Sequence, residues 1–124
     1  MFSVRVESGF SAAHSLRGYK GKCEELHGHN WKVELVAQGR QLDKTGMLID
    51  FHELKSALNR ILEKLDHKHL NAISYFKKTN PTSENLAKYI FDKLDLALRA
   101  RRQCVLLNVT VWESSNSAAT YYEE

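Results

Sequence analysis

Alternation of apolar and polar residues towards both ends of the chain predicts β-strands. A period of two places apolar side chains on one face of a strand and polar side chains on the other. Gly9 interrupts the first alternating segment, and an isolated glycine in a strand pattern suggests a bulge before residues 10–14. The predicted strands are residues 2–8, 29–38, 104–113 and 118–122.

Two segments in the middle of the chain have helical periodicity instead. Asp50 is placed to cap the first helix, with Glu53 three residues later as in a capping box. The second helix starts within residues 80–84, where proline is tolerated in a first turn and an Asn, Thr or Ser side chain can cap. The apolar stripes consist of Phe51, Leu54, Leu58, Ile61, Leu62 and Leu65, and then of Leu86, Ile90, Leu94 and Leu98.

The order ββααββ indicates the fold class. Strands and helices that come in blocks are typical of an α+β domain, here a four-stranded antiparallel sheet with two helices packed on one face. Neither a repeat nor a break in composition is visible, so we expect a single domain over residues 1–124. Two open sheet edges are a liability unless they are paired. We therefore expect the sheet to continue across the subunits of a homo-oligomer.

Composition and charge exclude several classes of function. The net charge of +3 comes from scattered residues, and the trio Arg99, Arg101 and Arg102 is interpreted as a solvated helix end, so we expect no nucleic-acid partner. We expect no membrane partner, because no apolar run approaches the roughly 20 residues of a membrane span. Residues 1–7 do not have the pattern of a signal peptide. Two cysteines make no disulfide framework, which favours a cytoplasmic protein with free thiols.

Three histidines are candidate metal ligands. His27 and His29 are two residues apart where a strand begins, so both imidazoles lie on one face, and Gly28 leaves the space between them open. His14, at the end of the preceding strand segment, can complete the set. Three neutral imidazoles with an open fourth position are typical of a catalytic zinc. The alternative is that all three are ordinary hydrogen-bonded histidines.

Cys23 precedes His27 by four residues in a polar segment and has three interpretations. As a fourth zinc ligand it would close the site and make it structural. As a thiolate activated by the nearby cation or by a histidine it would be catalytic. It could also be an inert small residue, which is the interpretation given to Cys104 at the start of an apolar strand.

Other polar residues are candidates for acid–base chemistry or ligand binding. Asp66 and His67 follow the first helix, where a turn of the chain would let the carboxylate orient the imidazole. A polar helix end favoured by the helix dipole is the alternative, and it is the main interpretation of His52 and His69. Glu113 has the parity of the apolar side of its strand, so a ligand with two parallel N–H donors would satisfy it, unless it is an exposed strand end.

Six segments together resemble the 6-pyruvoyl-tetrahydropterin synthase family, and most of all its bacterial branch in queuosine biosynthesis. Each segment alone is weak, but six in the right order are specific, and the resemblance runs from about residue 2 to the C-terminus. The segments are FSAAH at 10–14, CEELHGHN at 23–30, GMLIDF at 46–51, LDHKHLN at 65–71, NPTSEN at 80–85 and VTVWE at 109–113.

This resemblance implies the T-fold, or tunnelling fold, with the same ββααββ order. Trimers of that fold close their sheets into a barrel and two trimers stack into a hexamer, which would account for the open sheet edges. Polar-face residues such as Arg5, Lys32 and Asn108 are then expected to line a central pore.

The resemblance also implies the roles of the candidates around the metal. Cys23 matches a catalytic thiol rather than a ligand, and Asp66 and His67 match the pair that works with this thiol from a neighbouring subunit. The zinc ligands are matched by His14, His27 and His29.

Residues that hold the substrate are implied in the same way. Glu113 matches the glutamate that anchors the pterin ring through its 2-amino and N3 groups. Thr82, Ser83 and Glu84 match a segment near the pterin, although helix capping is enough to explain them.

The implied enzyme is a zinc-dependent lyase acting on 7,8-dihydroneopterin triphosphate. Zinc would lower the pKa of the side-chain hydroxyls, Cys23 and His67 would move protons, and triphosphate would leave. The bacterial branch, favoured by the short spacing of Cys23 and His27, then cleaves the side chain to give 6-carboxytetrahydropterin and acetaldehyde. The other branch keeps the side chain as 6-pyruvoyl-tetrahydropterin. A zinc hydrolase independent of Cys23 and a non-catalytic module with structural zinc are the alternatives from other classes.

Overall fold

A computed structural model describes residues 1–21, 24–101 and 103–124. Two short 3-10 turns, Leu70–Ala72 and Ser74–Lys77, precede the second helix. The strands and helices in chain order are β1 (Phe2–His14), β2 (His27–Gly39), α1 (Phe51–Leu62), β3 (Lys68–His69), α2 (Ser83–Leu98), β4 (Val105–Ser114) and β5 (Ser117–Tyr121).

The strands form one sheet in the order β3-β1-β2-β4-β5. β1, β2, β4 and β5 pair in antiparallel fashion, as the sequence predicts. The prediction of four strands, all antiparallel, is wrong in one detail, because β3 pairs in parallel with β1 and makes a fifth strand. Lys68 and His69 are both exposed. Two exposed residues show no alternation, so this strand leaves no periodic signal in the sequence.

Both helices pack on the apolar face of the sheet, which confirms the α+β prediction. Trp31, Val33 and Leu35 of β2 are almost completely buried on this face. They belong to one hydrophobic cluster with Leu54, Leu58 and Leu62 of α1, Leu86, Ile90 and Leu94 of α2, and Val109 and Val111 of β4. Burial of these side chains supplies the main driving force for folding.

The bulges lie elsewhere than the sequence predicts. The register of β1 with β2 is continuous through Gly9, so the bulge expected there is wrong. A Cβ atom on Gly9 would lie 2.7 Å from the Trp31 carbonyl oxygen, so a close approach of backbones explains this glycine. The register shifts instead between Val36 and Ala37, in the pairing with β4. Leu106 is consequently buried, whereas Leu107 is exposed.

The helices begin where the capping signals place them. The Asp50 carboxylate accepts from the His52 N–H, and the Thr82 hydroxyl accepts from the Asn85 N–H. Glu53 pairs with Arg101, so this carboxylate ties α1 to the chain beyond α2. Phe51 is wrongly assigned to the apolar stripe, since it is 60% exposed.

Arg99 forms an ion pair with Asp95 one turn earlier, and Arg102 lies outside the described residues. Across the described part of the chain, neither helix is both long and apolar enough to cross a membrane.

We expect Gly39→Ala to destabilise the protein by about 1–3 kcal/mol, because the new methyl group would overpack the end of β2. Its Cβ would clash with the backbone oxygen of Gln103 and would lie 2.6 Å from Leu48 Cδ1. Gly28→Ala is the matched control, since the nearest atom to its Cβ is 3.9 Å away. Urea unfolding of both variants measures the effect, and equal stabilities would contradict it.

Candidate metal centre and catalytic pair

Three histidines converge where β1 ends and β2 begins. His14 lies directly opposite His27 in the antiparallel pairing, and His29 shares the face of His27 because it follows by two residues. The ring centroids are 4.6 Å apart for His14 and His27, 5.2 Å for His14 and His29, and 4.8 Å for His27 and His29. His14 is only 1% exposed. The strand register therefore brings together the three histidines that the sequence selects.

Backbone carbonyls fix the orientation of two of these rings. His14 Nδ1 lies 2.7 Å from the Pro81 oxygen, and His27 Nδ1 lies 2.7 Å from the Glu25 oxygen. Because a carbonyl only accepts, each Nδ1 carries the proton and each Nε2 presents its lone pair in the neutral ring. The two Nε2 atoms are 3.1 Å apart. Facing lone pairs at this distance fit a cation held between them.

Burial keeps two of the imidazoles in the form that binds metal. Desolvation lowers the pKa of His14 and of His29 below the usual value for histidine. The Nε2 atom of His29 is buried and forms no hydrogen bond to the described residues. A neutral imidazole with an unused buried nitrogen is suited to metal ligation.

Glu113 completes this cluster from the end of β4. Its Oε1 lies 3.1 Å from His29 Nε2, and the Ser83 hydroxyl donates to its Oε2 at 3.5 Å. One ligand atom from each of His14, His27, His29 and Glu113 lies within 4.8 Å of the others, and we call these four residues the His–Glu group. Imidazoles with a carboxylate form a donor set that suits zinc and similar divalent ions.

Asp66 and His67 form a second, separate arrangement at the edge of β1. Asp66 Oδ2 lies 2.9 Å from His67 Nδ1, while Asp66 Oδ1 accepts from the Ser11 N–H at 2.9 Å. The His67 N–H in turn donates to the Ser11 carbonyl at 2.6 Å. These donors, the Ser11 amide first, lower the pKa of the Asp66 carboxyl. An ionised carboxylate thus orients an imidazole whose side chain is 83% exposed.

The backbone of His67 has the left-handed conformation, with φ of 57°. This conformation is uncommon for residues other than glycine, and such outliers cluster at functional sites. Here it places the His67 N–H on the Ser11 carbonyl and the ring on Asp66. The turn that the sequence suggests after α1 is therefore a specific, hydrogen-bonded structure.

The structure does not bring all the predicted site residues together within one chain. Asp66 and His67 lie outside the His–Glu group, and Cys23 lies outside the described residues. Thr82 serves as the helix cap, Ser83 reaches Glu113, and Glu84 is exposed in the first turn of α2.

Sequence reasoning overlooks two asparagines that hold the chain after His14. Asn71 accepts from the Ser15 N–H and donates to the Ser15 carbonyl, both at 2.9 Å. Asn80 makes the same pair of bonds with Arg17, at 3.0 and 2.8 Å. Each side-chain amide thus forms the two backbone hydrogen bonds that a residue of a neighbouring strand would otherwise form. Both asparagines occur in the segments that carry the family resemblance, but their partners are more than fifty residues away in sequence.

Comparison with known proteins identifies relatives of this chain. The profile of the family described as 6-pyruvoyl tetrahydropterin synthase matches residues 3–124. A Synechocystis protein named 6-carboxy-5,6,7,8-tetrahydropterin synthase is 36% identical over 127 residues, which cover 98% of this chain and 94% of that protein. A Drosophila melanogaster 6-pyruvoyl tetrahydrobiopterin synthase is 36% identical over 134 residues, covering 97% of this chain and 78% of the relative.

A solved structure shows the same fold. The 6-pyruvoyl tetrahydropterin synthase of Caenorhabditis elegans matches with a TM-score of 0.88 and 33% identity, covering 99% of this chain and 96% of the other. Fold and relatives together define a pterin synthase. The chain belongs to the 6-pyruvoyl tetrahydropterin synthase family, as its sequence motifs predict. Its relatives bear the names of both branches of that family.

We expect His27→Ala to abolish tight zinc binding, because it removes one of the converging imidazoles. The loss of affinity should exceed the roughly 10- to 100-fold caused by removing a supporting residue. His69→Ala is the control, since His69 is exposed on β3. Atomic absorption after dialysis against a weak chelator measures bound zinc. Retention of zinc by His27→Ala would show that the cluster is not the metal site.

Proposed function

We propose that this chain is a zinc-dependent 6-carboxy-5,6,7,8-tetrahydropterin synthase. It converts 7,8-dihydroneopterin triphosphate to 6-carboxytetrahydropterin, acetaldehyde and triphosphate in queuosine biosynthesis. The observation that supports this most strongly is the convergence of His14, His27 and His29 beside Glu113. The short spacing of Cys23 and His27 and the name of the Synechocystis relative favour this branch.

The alternative is a 6-pyruvoyl-tetrahydropterin synthase, which eliminates triphosphate without cleaving the side chain. The name of the Drosophila relative supports this alternative. Both activities need the same metal and the same anchor for the pterin, so the two candidates differ in their product.

Zinc would be held by the three histidines, and it would polarise the hydroxyls of the substrate side chain. The hydrogen bonds from the Nδ1 atoms of His14 and His27 to backbone carbonyls leave Nε2 of each ring as the atom that would bind zinc. The Asn80 carbonyl accepts from the Thr82 N–H and the Asn85 side chain, both at 2.9 Å, and so fixes the backbone on either side of Pro81.

Proton transfer is assigned to His67 together with the Cys23 thiolate. The Asp66 carboxylate holds Nδ1 of His67, so the opposite nitrogen, Nε2, is the one available to move protons at the side-chain carbons. The low pKa of Asp66 keeps its carboxylate ionised, and this stabilises the imidazolium when His67 takes up a proton.

Glu113 anchors the pterin ring in this proposal. A carboxylate accepts two parallel N–H donors, here the 2-amino and N3 groups of the pterin, in a bidentate arrangement. The Ser83 hydroxyl beside Oε2 supports the orientation of the carboxylate. Thr82 acts through the cap of α2, and Glu84 lies in the same helical turn.

Completion of the site requires a second subunit. Within one chain Asp66 and His67 do not join the His–Glu group, and His67 presents its imidazole outward. We propose that this pair serves the metal of a neighbouring subunit in a hexamer built from two trimers. Among the described residues β5 is the last strand of the sheet, and this edge offers a place for the sheet to continue between subunits.

Product analysis tests the proposed reaction. The zinc-loaded protein incubated with 7,8-dihydroneopterin triphosphate, without any reductase, should give 6-carboxytetrahydropterin and acetaldehyde by mass spectrometry. Accumulation of 6-pyruvoyl-tetrahydropterin would instead assign the other branch. An untouched substrate with zinc bound would contradict both.

The Cys23→Ala variant separates this enzyme from other classes of zinc protein. It should keep its zinc and lose turnover by at least about 100-fold, because it lacks a group that transfers protons. The buried Cys104 supplies the control, and Cys104→Ala should keep its activity. Full activity of Cys23→Ala would indicate a zinc hydrolase, and loss of its zinc would indicate a structural site.

Mixed oligomers test whether the site is shared between subunits. Cys23→Ala and His67→Ala subunits should each be inactive alone but recover activity when unfolded and refolded together. Random mixing leaves about a quarter of the sites with both residues intact if they come from different subunits. The control mixes Cys23→Ala with the Cys23→Ala/His67→Ala double variant, which has no intact combination. No recovery in the first mixture would place both residues in the same chain's site.

A further inference from the structure

Hydrogen bonds along one edge of β1 continue beyond the last residue of the strand. Backbone groups of alternate residues in a strand point to the same edge. Ser11, Ser15 and Arg17 keep this parity, and each has its N–H and its C=O bonded to the segment between α1 and α2. At Ser11 the partners are a carboxylate and a backbone amide, whereas at the other two residues one asparagine side chain forms both bonds.

The segment 71–81 is anchored on the chain around His14 at its start, middle and end. Asn71 at its start forms both bonds to Ser15. In its middle, the carbonyl of the buried Phe76 accepts from the Arg17 guanidinium at 2.6 Å. Its end is bonded through two consecutive residues, 80 and 81, the first on Arg17 and the second on His14.

Asn80 joins the extension of β1 to the start of α2. Its side chain accepts from the Arg17 N–H at 3.0 Å and donates to the Arg17 carbonyl at 2.8 Å. Its own carbonyl accepts from the Thr82 N–H and from the Asn85 side chain, both at 2.9 Å. Thr82 is the N-cap of α2. Asn80 therefore fixes the backbone between two elements that are far apart in sequence.

One peptide group connects Asn80 to the His14 ring. The Thr82 N–H and the Pro81 carbonyl belong to the same peptide. Its N–H donates to the Asn80 carbonyl, and its oxygen accepts from His14 Nδ1 at 2.7 Å. Pro81 and His14 are both buried. Because proline has no N–H of its own, the bonds of Asn80 are needed to hold this stretch of backbone in place.

We propose that Asn80 is a positioning residue for His14. Its side chain anchors the backbone on Arg17, its carbonyl holds the peptide after Pro81, and that peptide fixes the His14 imidazole with the proton on Nδ1. A ring held in this way loses less freedom when it binds a metal, so the metal affinity is higher. The proposal rests on the function proposed above only in taking His14 as a zinc ligand.

The zinc affinity of the metal-free protein, measured by competition with a chromophoric chelator, tests the proposal without the reaction. Asn80→Ala should bind zinc about 10-fold more weakly than the unaltered chain, which is the lower end of the loss caused by removing the support of a ligand. Equal affinities of Asn80→Ala and the unaltered chain would overturn the proposal.

Asn59→Ala is the matched control for this measurement. It removes the same kind of side chain from α1, together with a hydrogen bond to Ser8 that also joins residues far apart in sequence. Its zinc affinity should stay within about twofold of that of the unaltered chain. Circular dichroism shows that each variant is folded. An equal loss of affinity in Asn59→Ala and Asn80→Ala would assign Asn80 a general structural role and overturn the proposal.

The His14 ring reports on Asn80 in the absence of metal. Heteronuclear NMR at neutral pH shows which imidazole nitrogen carries the proton and how fast this proton exchanges with water. In the unaltered chain and in Asn59→Ala, His14 should be protonated on Nδ1 with slow exchange. Asn80→Ala should lose the slow exchange and show a mixture of both tautomers. An unchanged His14 signal in Asn80→Ala would overturn the proposal.

A second variant covers the case in which Asn80→Ala does not fold. Asn80→Asp keeps the shape of the side chain and its acceptor for the Arg17 N–H, but it loses the donor to the Arg17 carbonyl. It should change zinc affinity and the His14 signal in the same direction, and unchanged values of both would overturn the proposal. Because neither measurement involves the reaction, a failed product assay would contradict the proposed function alone.

Discussion

The continuous antiparallel pairing of β1 with β2 determines where the three clustered histidines lie. His14 stands opposite His27, and the same register puts Phe10 opposite Trp31 in the core below. A slip by one residue would turn every side chain of a strand to the other face. Burial of Trp31, Val33 and Leu35 thus fixes the strand register, and the register fixes the positions of the histidines. Stability of the fold and geometry of the histidine cluster depend on the same contacts.

The edge of β1 that faces away from β2 holds the other polar residues of the candidate site. The chain between α1 and α2 follows this edge, first with Asp66 and His67 on Ser11, then with β3, and finally with two asparagine side chains on Ser15 and Arg17. Pro81 follows the second of these asparagines, and its carbonyl oxygen accepts a hydrogen bond from His14 Nδ1 that orients this ring. One irregular segment therefore positions Asp66 and His67 and also orients the ring of His14.

The sequence predicts what depends on periodicity and capping, and little of what depends on distant contacts. Parity places His27 and His29 on the core face, and Asp50 and Thr82 start the helices. β3 is too short for a periodic signal. The bonds from Asn71 and Asn80 join positions more than fifty residues apart, which no local pattern encodes. The same holds for the left-handed backbone of His67, which the Ser11 and Asp66 contacts stabilise together.

Glu113 shows how a small departure from regular structure can place a carboxylate beside the histidine cluster. Its parity with Val109 and Val111 points it to the apolar side, where a regular sheet would leave a carboxylate without partners. The register shift to β5 and the first residue of α2 supply them instead, with Ser83 on one oxygen and His29 near the other.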